Sequence, residues 1–274
     1  FFDVETAYGY GGVIWEGTVG PEDWAWFNSI WRDYCSDNRI VVEFVRETPT
    51  VNSFLYRGMR HRQVRQNVYV DIQTAHQCWE EIRPTARTGI RKARRKGLRG
   101  RLIHPVRELG AFEHLYLRTA ERLQMGSFYL FDSAYFAALT KWLSADMIQL
   151  EVECGTDLVA SSLCFLNADQ VVYYLGAWDP VYQGCRPTDM LYWQMILATE
   201  ALGKRTLSLG GGTTNDPDDA LFRFKMKYGN RTEPVFISYA VHNEHIYKLL
   251  RKQWEAACSS ASASKAHYVL FYRE

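Results

Sequence analysis

The chain has 274 residues, 47% hydrophobic and 23% charged, with a formal net charge of +1. This is an ordinary globular composition with room for one large domain or two small ones, and it excludes a global field that would recruit polyanions, so any nucleic-acid contact must use a local patch. No apolar run reaches the roughly 18 residues needed to span a bilayer, no signal peptide opens the chain, and it starts at Phe1 rather than Met. These features predict a cytoplasmic protein whose natural N-terminus is missing or processed.

In chain order, Tyr8-Gly9-Tyr10-Gly11-Gly12 reads either as a flexible lip over an acceptor cleft, presenting Tyr10, or as a plain surface turn. From Pro21 to Arg39 the spacing of Trp24, Phe27, Ile30, Trp31 and Tyr34 predicts an amphipathic helix. A strand follows at 40–45, a second at 67–72, and a helix at 75–82. Between Arg83 and Arg107 stand ten Lys or Arg and no acid. Read as a helix over 85–96 ending at Gly97, the segment places Arg87, Arg91, Arg94 and Arg95 in one stripe. Like charges at this spacing repel by a few tenths of a kcal/mol each. Such a stripe suits a polyanion; the plainer reading is a solvated face whose Ile90 and Ala93 dock on the core.

From Met147 three antiparallel strands are predicted, the first reaching Cys154, then 158–166 and 170–177, with Gly155-Thr156-Asp157 and Asn167-Ala168-Asp169 as turns. Tyr173 and Tyr174 are strand neighbours, so only one can face a substrate and the other belongs to the core. A helix over 188–202 leads to a short strand ending in Gly210-Gly211-Gly212. Three glycines let the backbone take positive φ and approach a ligand closely. After a polar loop in which Asp216, Asp218 or Asp219 can cap, a helix carries Phe222, Phe224 and Lys225. Phe222 and Phe224 cannot share one face, so one looks inward and one toward a groove. The plain alternative is a tight turn with a surface lysine. Tyr192 and Tyr228 read as core. A last strand is expected at 234–241, a Ser/Ala linker at 259–264, and a final strand at 267–272.

Six cysteines lack any C-x-x-C or histidine spacing, so neither a zinc site nor a disulfide scaffold is expected. His242 and His245 stand three apart without a supporting carboxylate motif and read as a surface pair. No Gly-x-Ser-x-Gly elbow or nucleophile–base pair occurs, and no P-loop or dinucleotide fingerprint is present.

The ordered series Tyr173-Tyr174-Leu175-Gly176-Ala177-Trp178, Arg186-Pro187-Thr188-Asp189-Met190-Leu191-Tyr192-Trp193, Gly210-Gly211-Gly212, Phe224-Lys225 and Tyr228-Gly229, with Arg91-Lys92-Ala93 and Lys96-Gly97 upstream, resembles the Fem-type branch of the GNAT superfamily over nearly the whole chain. The resemblance implies an α+β fold of tandem GNAT-like units, each a mixed, mostly antiparallel sheet flanked by helices. We place the first unit at 1–101 plus 242–274 and the second at 102–241. It also implies direct attack of an amine on an activated acyl group, without covalent enzyme intermediate or bound cofactor. Lys225 then supplies positive charge near the oxyanion or a donor phosphate; Tyr173, Tyr174, Gly210, Gly211, Gly212, Phe224 and Tyr10 are candidate substrate contacts. Arg87, Arg91, Arg94 and Arg95 are candidate tRNA or phosphate contacts.

One departure shapes the donor assignment. Gln183-Gly184-Cys185-Arg186-Pro187 lies where GNAT proteins carry a glycine-rich pyrophosphate loop, but lacks its glycines. This weakens an acyl-CoA donor, whose pyrophosphate backbone N–H groups would cradle. The leading expectation is transfer of an aminoacyl group from aminoacyl-tRNA to an amine of a peptidoglycan precursor or a small peptide or nucleoside-type acceptor. The alternatives are an acyl-CoA-dependent N-acyltransferase of polysaccharide or secondary metabolism, and a non-catalytic RNA-binding protein.

Overall fold

The structure, a computed structural model, describes residues 1–7, 9–49, 51, 53–257 and 268–272. In chain order its elements are β1 (Phe2–Glu5), α1 (Pro21–Asp37), β2 (Ile40–Arg46), α2 (Phe54–Arg57), β3 (Arg60–Asp71), α3 (Ala75–Glu81), α4 (Pro84–Arg95), β4 (Leu98–Ile103), α5 (Gly110–Arg122), α6 (Ser133–Leu143), β5 (Met147–Cys154), β6 (Asp157–Leu166), β7 (Gln170–Trp178), α7 (Pro187–Ala201), β8 (Thr206–Gly211), α8 (Ala220–Lys225), β9 (Arg231–Val241) and α9 (Glu244–Ala257). Short 3₁₀ turns at Ser127–Tyr129 and Pro180–Cys185 complete the set.

Two compact units result: Phe1–Arg65 with Glu233–Glu274, and Gln66–Thr232. These boundaries differ from those expected from sequence. Residues 66–101 belong with the second unit because β3 pairs with β8 from Asn67 to Asp71, and α3 and α4 pack on α7. Residues 233–241 belong with the first because β9 pairs antiparallel with β2. The segment 268–272, expected as a strand, forms turns. His267 and the linker 259–264 lie outside the described residues.

In the second unit the strands run β3-β8-β7-β6-β5-β4. β4 to β7 form an antiparallel meander, and β8 joins it parallel to β7. A parallel neighbour requires a crossover, and α7 provides it. One sheet face is covered by α3, α4 and α7, whose Cys78, Ile90 and Ile196 meet Leu150 and Leu207. The other is covered by α5 and α6 through Phe112, Tyr116 and Phe136. The sequence reading did not identify α5 and α6. Small residues set two close approaches: α7 lays Gln194 where a Cβ on Gly100 of β4 would stand, and Gly229 lies against Val68.

The first unit repeats part of this plan. β1 and β2 run parallel with α1 as crossover, and α2 follows β2 as α8 follows β8. The buried stripe of α1 is narrower than its apolar spacing implies. Trp24 and Cys35 are buried and Phe27 and Trp31 half-buried, whereas Ile30 and Tyr34 face solvent.

Candidate active site

The parallel pairing of β7 and β8 covers only Gln170–Val172 against Thr206–Ser208. Both strands continue beyond it, β7 to Trp178 and β8 to Gly211. The ladder therefore forks at Tyr173 and Leu209. Past the fork, the edge of β7 that faces β8 carries backbone groups without ladder partners among the described residues, which suits an extended ligand.

Lys225 sits in this fork. Its sequence alternative, a surface lysine, is excluded by an exposure of 4%. Nζ donates to the Gly211 carbonyl at 2.7 Å and lies 5.5 Å from the Tyr173 ring centroid. Gly210 beside it takes the left-handed conformation at φ +68°, which is what requires a glycine there, since a Cβ would make only ordinary contact, 3.6 Å from Nζ. A buried ammonium needs such an acceptor and such a ring, because an isolated one would surrender its proton. Gly212 is required for another reason, since a Cβ there would collide with the carboxylate of Asp219. Of the three candidate caps, Asp219 holds α8. It accepts from Phe222 N at 2.9 Å and from the backbone N–H groups of Thr213 and Thr214 at 3.0 and 3.1 Å. The Thr213 hydroxyl and these N–H groups hold its carboxyl far below the usual range.

Tyr173 and Tyr174 part as strand neighbours must. Tyr174 turns to the α6 face, where its hydroxyl meets that of Tyr135 and its ring packs on Phe165. Tyr173 turns to Lys225 and to Tyr192, whose ring centroid is 6.0 Å away. Tyr192 in turn lies 5.0 Å from both Phe224 and Tyr228. Burial pushes the phenols of Tyr173 and Tyr192 well above their ordinary range, so at neutral pH they are hydroxyl donors and not bases.

Tyr228 anchors this group from behind. It donates to Asp189 Oδ1 at 2.6 Å, and burial together with that carboxylate raises its own phenol. Asp189, 3% exposed, lies in a notch cut into α4 by Gly89, where a Cβ would stand 2.5 Å from the carboxyl carbon. Sequence reading missed Asp189 and Gly89. A glycine in the middle of a helical pattern was the available signal.

The basic helix divides differently from the expected stripe. Arg87 does not join it: Nη1 donates to the carbonyls of Trp79, Glu80 and Ile82 at 3.1, 2.7 and 3.0 Å, closing the end of α3. Arg91 and Arg94 lie over the Trp79 ring at 5.4 and 5.7 Å while remaining solvent-exposed, and Arg95 is exposed. Lys92, not singled out from sequence, lines a cavity of about 340 Å³ with Gln183, Gly184 and Arg186. That cavity adjoins the start of α7, where Arg186 takes the left-handed conformation at φ +63° immediately before Pro187. Two cations and a helix N-terminus there suit an anion. Tyr10 belongs to the first unit, in a loop where Gly9 and Gly12 take φ +110° and +105°. Among the described residues no His, Cys, Asp and Glu group could hold a metal ion, and no helix is long and apolar enough to cross a membrane.

Comparison with known proteins bears on this geometry directly. No curated protein matches the sequence. Among solved structures, FemX is similar over 84% of this chain and 79% of its own, at 13% identity and a TM-score of 0.66. L-PGS from Bacillus licheniformis is similar over 81% and 74%, at 12% identity and 0.59. The C-terminal domain of a putative lysylphosphatidylglycerol synthetase from Agrobacterium fabrum is similar over 85% and 79%, at 13% and 0.57. These likenesses show the fold. Residues 83–226, from the start of the basic helix through the fork to Lys225, match the family described as Acetyltransferase (GNAT) domain, and the chain belongs to that acyltransferase family.

Proposed function

We propose that this protein is an N-acyltransferase that moves an aminoacyl group from aminoacyl-tRNA to an amine, that of a peptidoglycan precursor or of a small peptide or nucleoside-type acceptor, in the cytoplasm. The observation that carries the reading is the fork between β7 and β8 with a buried cation in it, together with a cationic cavity at the start of α7. In this reading the acyl group lies along the open edge of β7, its carbonyl oxygen toward Lys225. The unprotonated acceptor amine attacks the carbonyl carbon. A C–N bond forms, the ester C–O bond to the tRNA breaks, and the departing oxygen takes up the proton that the attacking nitrogen loses. Lys225, with the neutral hydroxyl of Tyr173 as a further donor, stabilises the oxyanion; such a donor is worth about 3 kcal/mol.

The preference for tRNA over acyl-CoA rests on how phosphate is met. Where a glycine-rich loop would offer backbone N–H groups, this chain forms a 3₁₀ turn at Pro180–Cys185, and the anion-facing groups are side chains, Lys92 and Arg186. Exposed Arg91, Arg94 and Arg95 continue positive charge along α4, as a nucleic-acid backbone would use. The test is transfer of radiolabel to a panel of amines from charged tRNA, run against acyl-CoA. Transfer from tRNA supports the reading. Transfer from acyl-CoA alone replaces it with the acyl-CoA-dependent one.

A further inference from the structure

At the fork β7 carries an irregularity in its other ladder, the one with β6. Leu163 pairs with Leu175 and Cys164 with Tyr173, so Tyr174 is an extra residue, a bulge. In an unbroken strand, residues three apart face opposite sides of the sheet. Here Tyr174 and Leu175 both pack on the α5 and α6 cluster, and Tyr173 and Gly176 share the opposite face. The bulge thereby aims the Tyr173 phenol along β7 and over Gly176. A Cβ on Gly176 would stand 2.2 Å from the phenol oxygen and 3.0 Å from Cζ. Gly176 is not among the residues with positive φ, so its backbone does not demand glycine; the close approach of the ring does.

The ring has neighbours that limit how far it can yield. The Tyr192 ring centroid is 6.0 Å from its own, and Lys225 Nζ stands 5.5 Å from its centroid. A glycine inside a strand weakens that strand, because it adds freedom to the unfolded chain and packs nothing. This one stands past the last residue of β7 that pairs with β8, on the stretch along which the acyl group lies. A side chain at position 176 would lift the phenol off that stretch. It would also press the ring toward the lysine that shares its face.

We propose that Gly176 is a positioning residue for acyl transfer: it seats the Tyr173 phenol flat along β7, and so fixes where the phenol hydroxyl and, across the ring face, the Lys225 ammonium stand in the fork. This rests on the acyl-transfer reading, so one of its two measurements needs no transfer. The first is single-turnover transfer by the full chain from whichever donor, charged tRNA or acyl-CoA, the wild type uses. Gly176→Ala should lower the rate constant about tenfold or more, with the protein folded and the donor KM within about twofold of wild type. Tyr173→Phe should lower it by a similar factor. Gly176→Ala added to Tyr173→Phe should cost about twofold more at most, because the oxygen it would displace is gone. The second measurement is the crystal structure of Gly176→Ala, in which the phenol oxygen should stand about 1 Å or more from its wild-type place. If Gly176→Ala does not fold, the double variant should, since it lacks that oxygen. The proposal is overturned if the phenol keeps its place in Gly176→Ala, if the rate stays at wild type, or if the two losses multiply in the double variant. It also fails if Gly176→Ala unfolds the protein with or without the phenol oxygen. A wild type that transfers from neither donor sinks the acyl-transfer reading instead, and the structure of Gly176→Ala then decides the seat alone.

Discussion

Each unit of this chain contains a parallel strand pair, a crossover helix and a short helix ending in a cation that reaches back to the second strand. In the second unit the cation is Lys225, held by a main-chain carbonyl and an aromatic face. In the first it is Arg57, held by the carboxylate of Glu43. A main-chain carbonyl accepts from the lysine without neutralising it. A carboxylate cancels most of the arginine's charge and leaves directional N–H donors. The difference teaches that one framework can hold its cation on a main-chain carbonyl in one copy and on a buried carboxylate in the other.

The largest expected effect tests the first unit's side of that contrast. Arg57→Ala leaves Glu43 buried and unpaired and should destabilise the protein by about 3–5 kcal/mol in urea denaturation. Glu43→Gln in the same background should recover much of the loss. The acid limb carries the same information. Burial alone would raise the Glu43 carboxyl, but hydrogen bonds from His242, Arg57 and Trp31 and the arginine's charge hold it down at about 2, against an ordinary 4.5. A carboxyl depressed in the folded state stabilises above its unfolded pKa and loses that contribution as pH falls through the folded one. The wild type should therefore lose stability between about pH 4.5 and pH 2, by up to about 3 kcal/mol from this group, and Glu43→Gln should lack that component.

Next comes Lys225→Ala, which should lower single-turnover acyl transfer by about 10²-fold or more with the fold retained. Lys227, stacked 4.8 Å from the Phe224 ring, offers the comparison. Equal, small effects at both would remove Lys225 from the reaction and erase the difference between the units. Gly89→Ala should cost about 1–3 kcal/mol in thermal unfolding by displacing Asp189, and Asp189→Ala should relieve part of it. A simple sum of the two losses would show that the notch does not hold Asp189. Smaller again, Arg91, Arg94 and Arg95 changed together to Ala should weaken charged-tRNA binding with the melting temperature almost unchanged. Each phosphate that is no longer neutralised should reduce the salt slope by about 0.7–0.9. Arg87→Ala should do the reverse, lowering stability while leaving that slope intact. Lys227→Ala closes the series with about a twofold effect or less on transfer.

The sequence made the meander, α7, the glycine turn and the Phe224-Lys225 helix legible, because strand alternation, turn residues and a capping acid are local signals. Helices α5 and α6 escaped because their apolar residues had no equally clear boundary. Arg87 was misread because a one-helix stripe shows spacing but not the neighbouring α3 carbonyls. The roles of Lys92 and Asp189, both within the motifs, were not legible for the same reason. Each acquires its role from packing between α4 and α7, residues about a hundred positions apart.

Beyond the family, which came by resemblance, the sequence by itself determined the order of elements from β5 to α8 and the presence of a cation after the glycine turn. Those follow from residue type and short-range spacing, which the backbone's helix and strand periods convert directly into faces and turns. Only tertiary structure decided that Lys225 is buried at a fork in the ladder, that Tyr173 and not Tyr174 faces it, and that Glu43 and Arg57 meet as a buried pair. Burial, desolvation and hydrogen-bond pairing depend on which distant segments pack together, and it is these that set the charge and chemistry of a side chain.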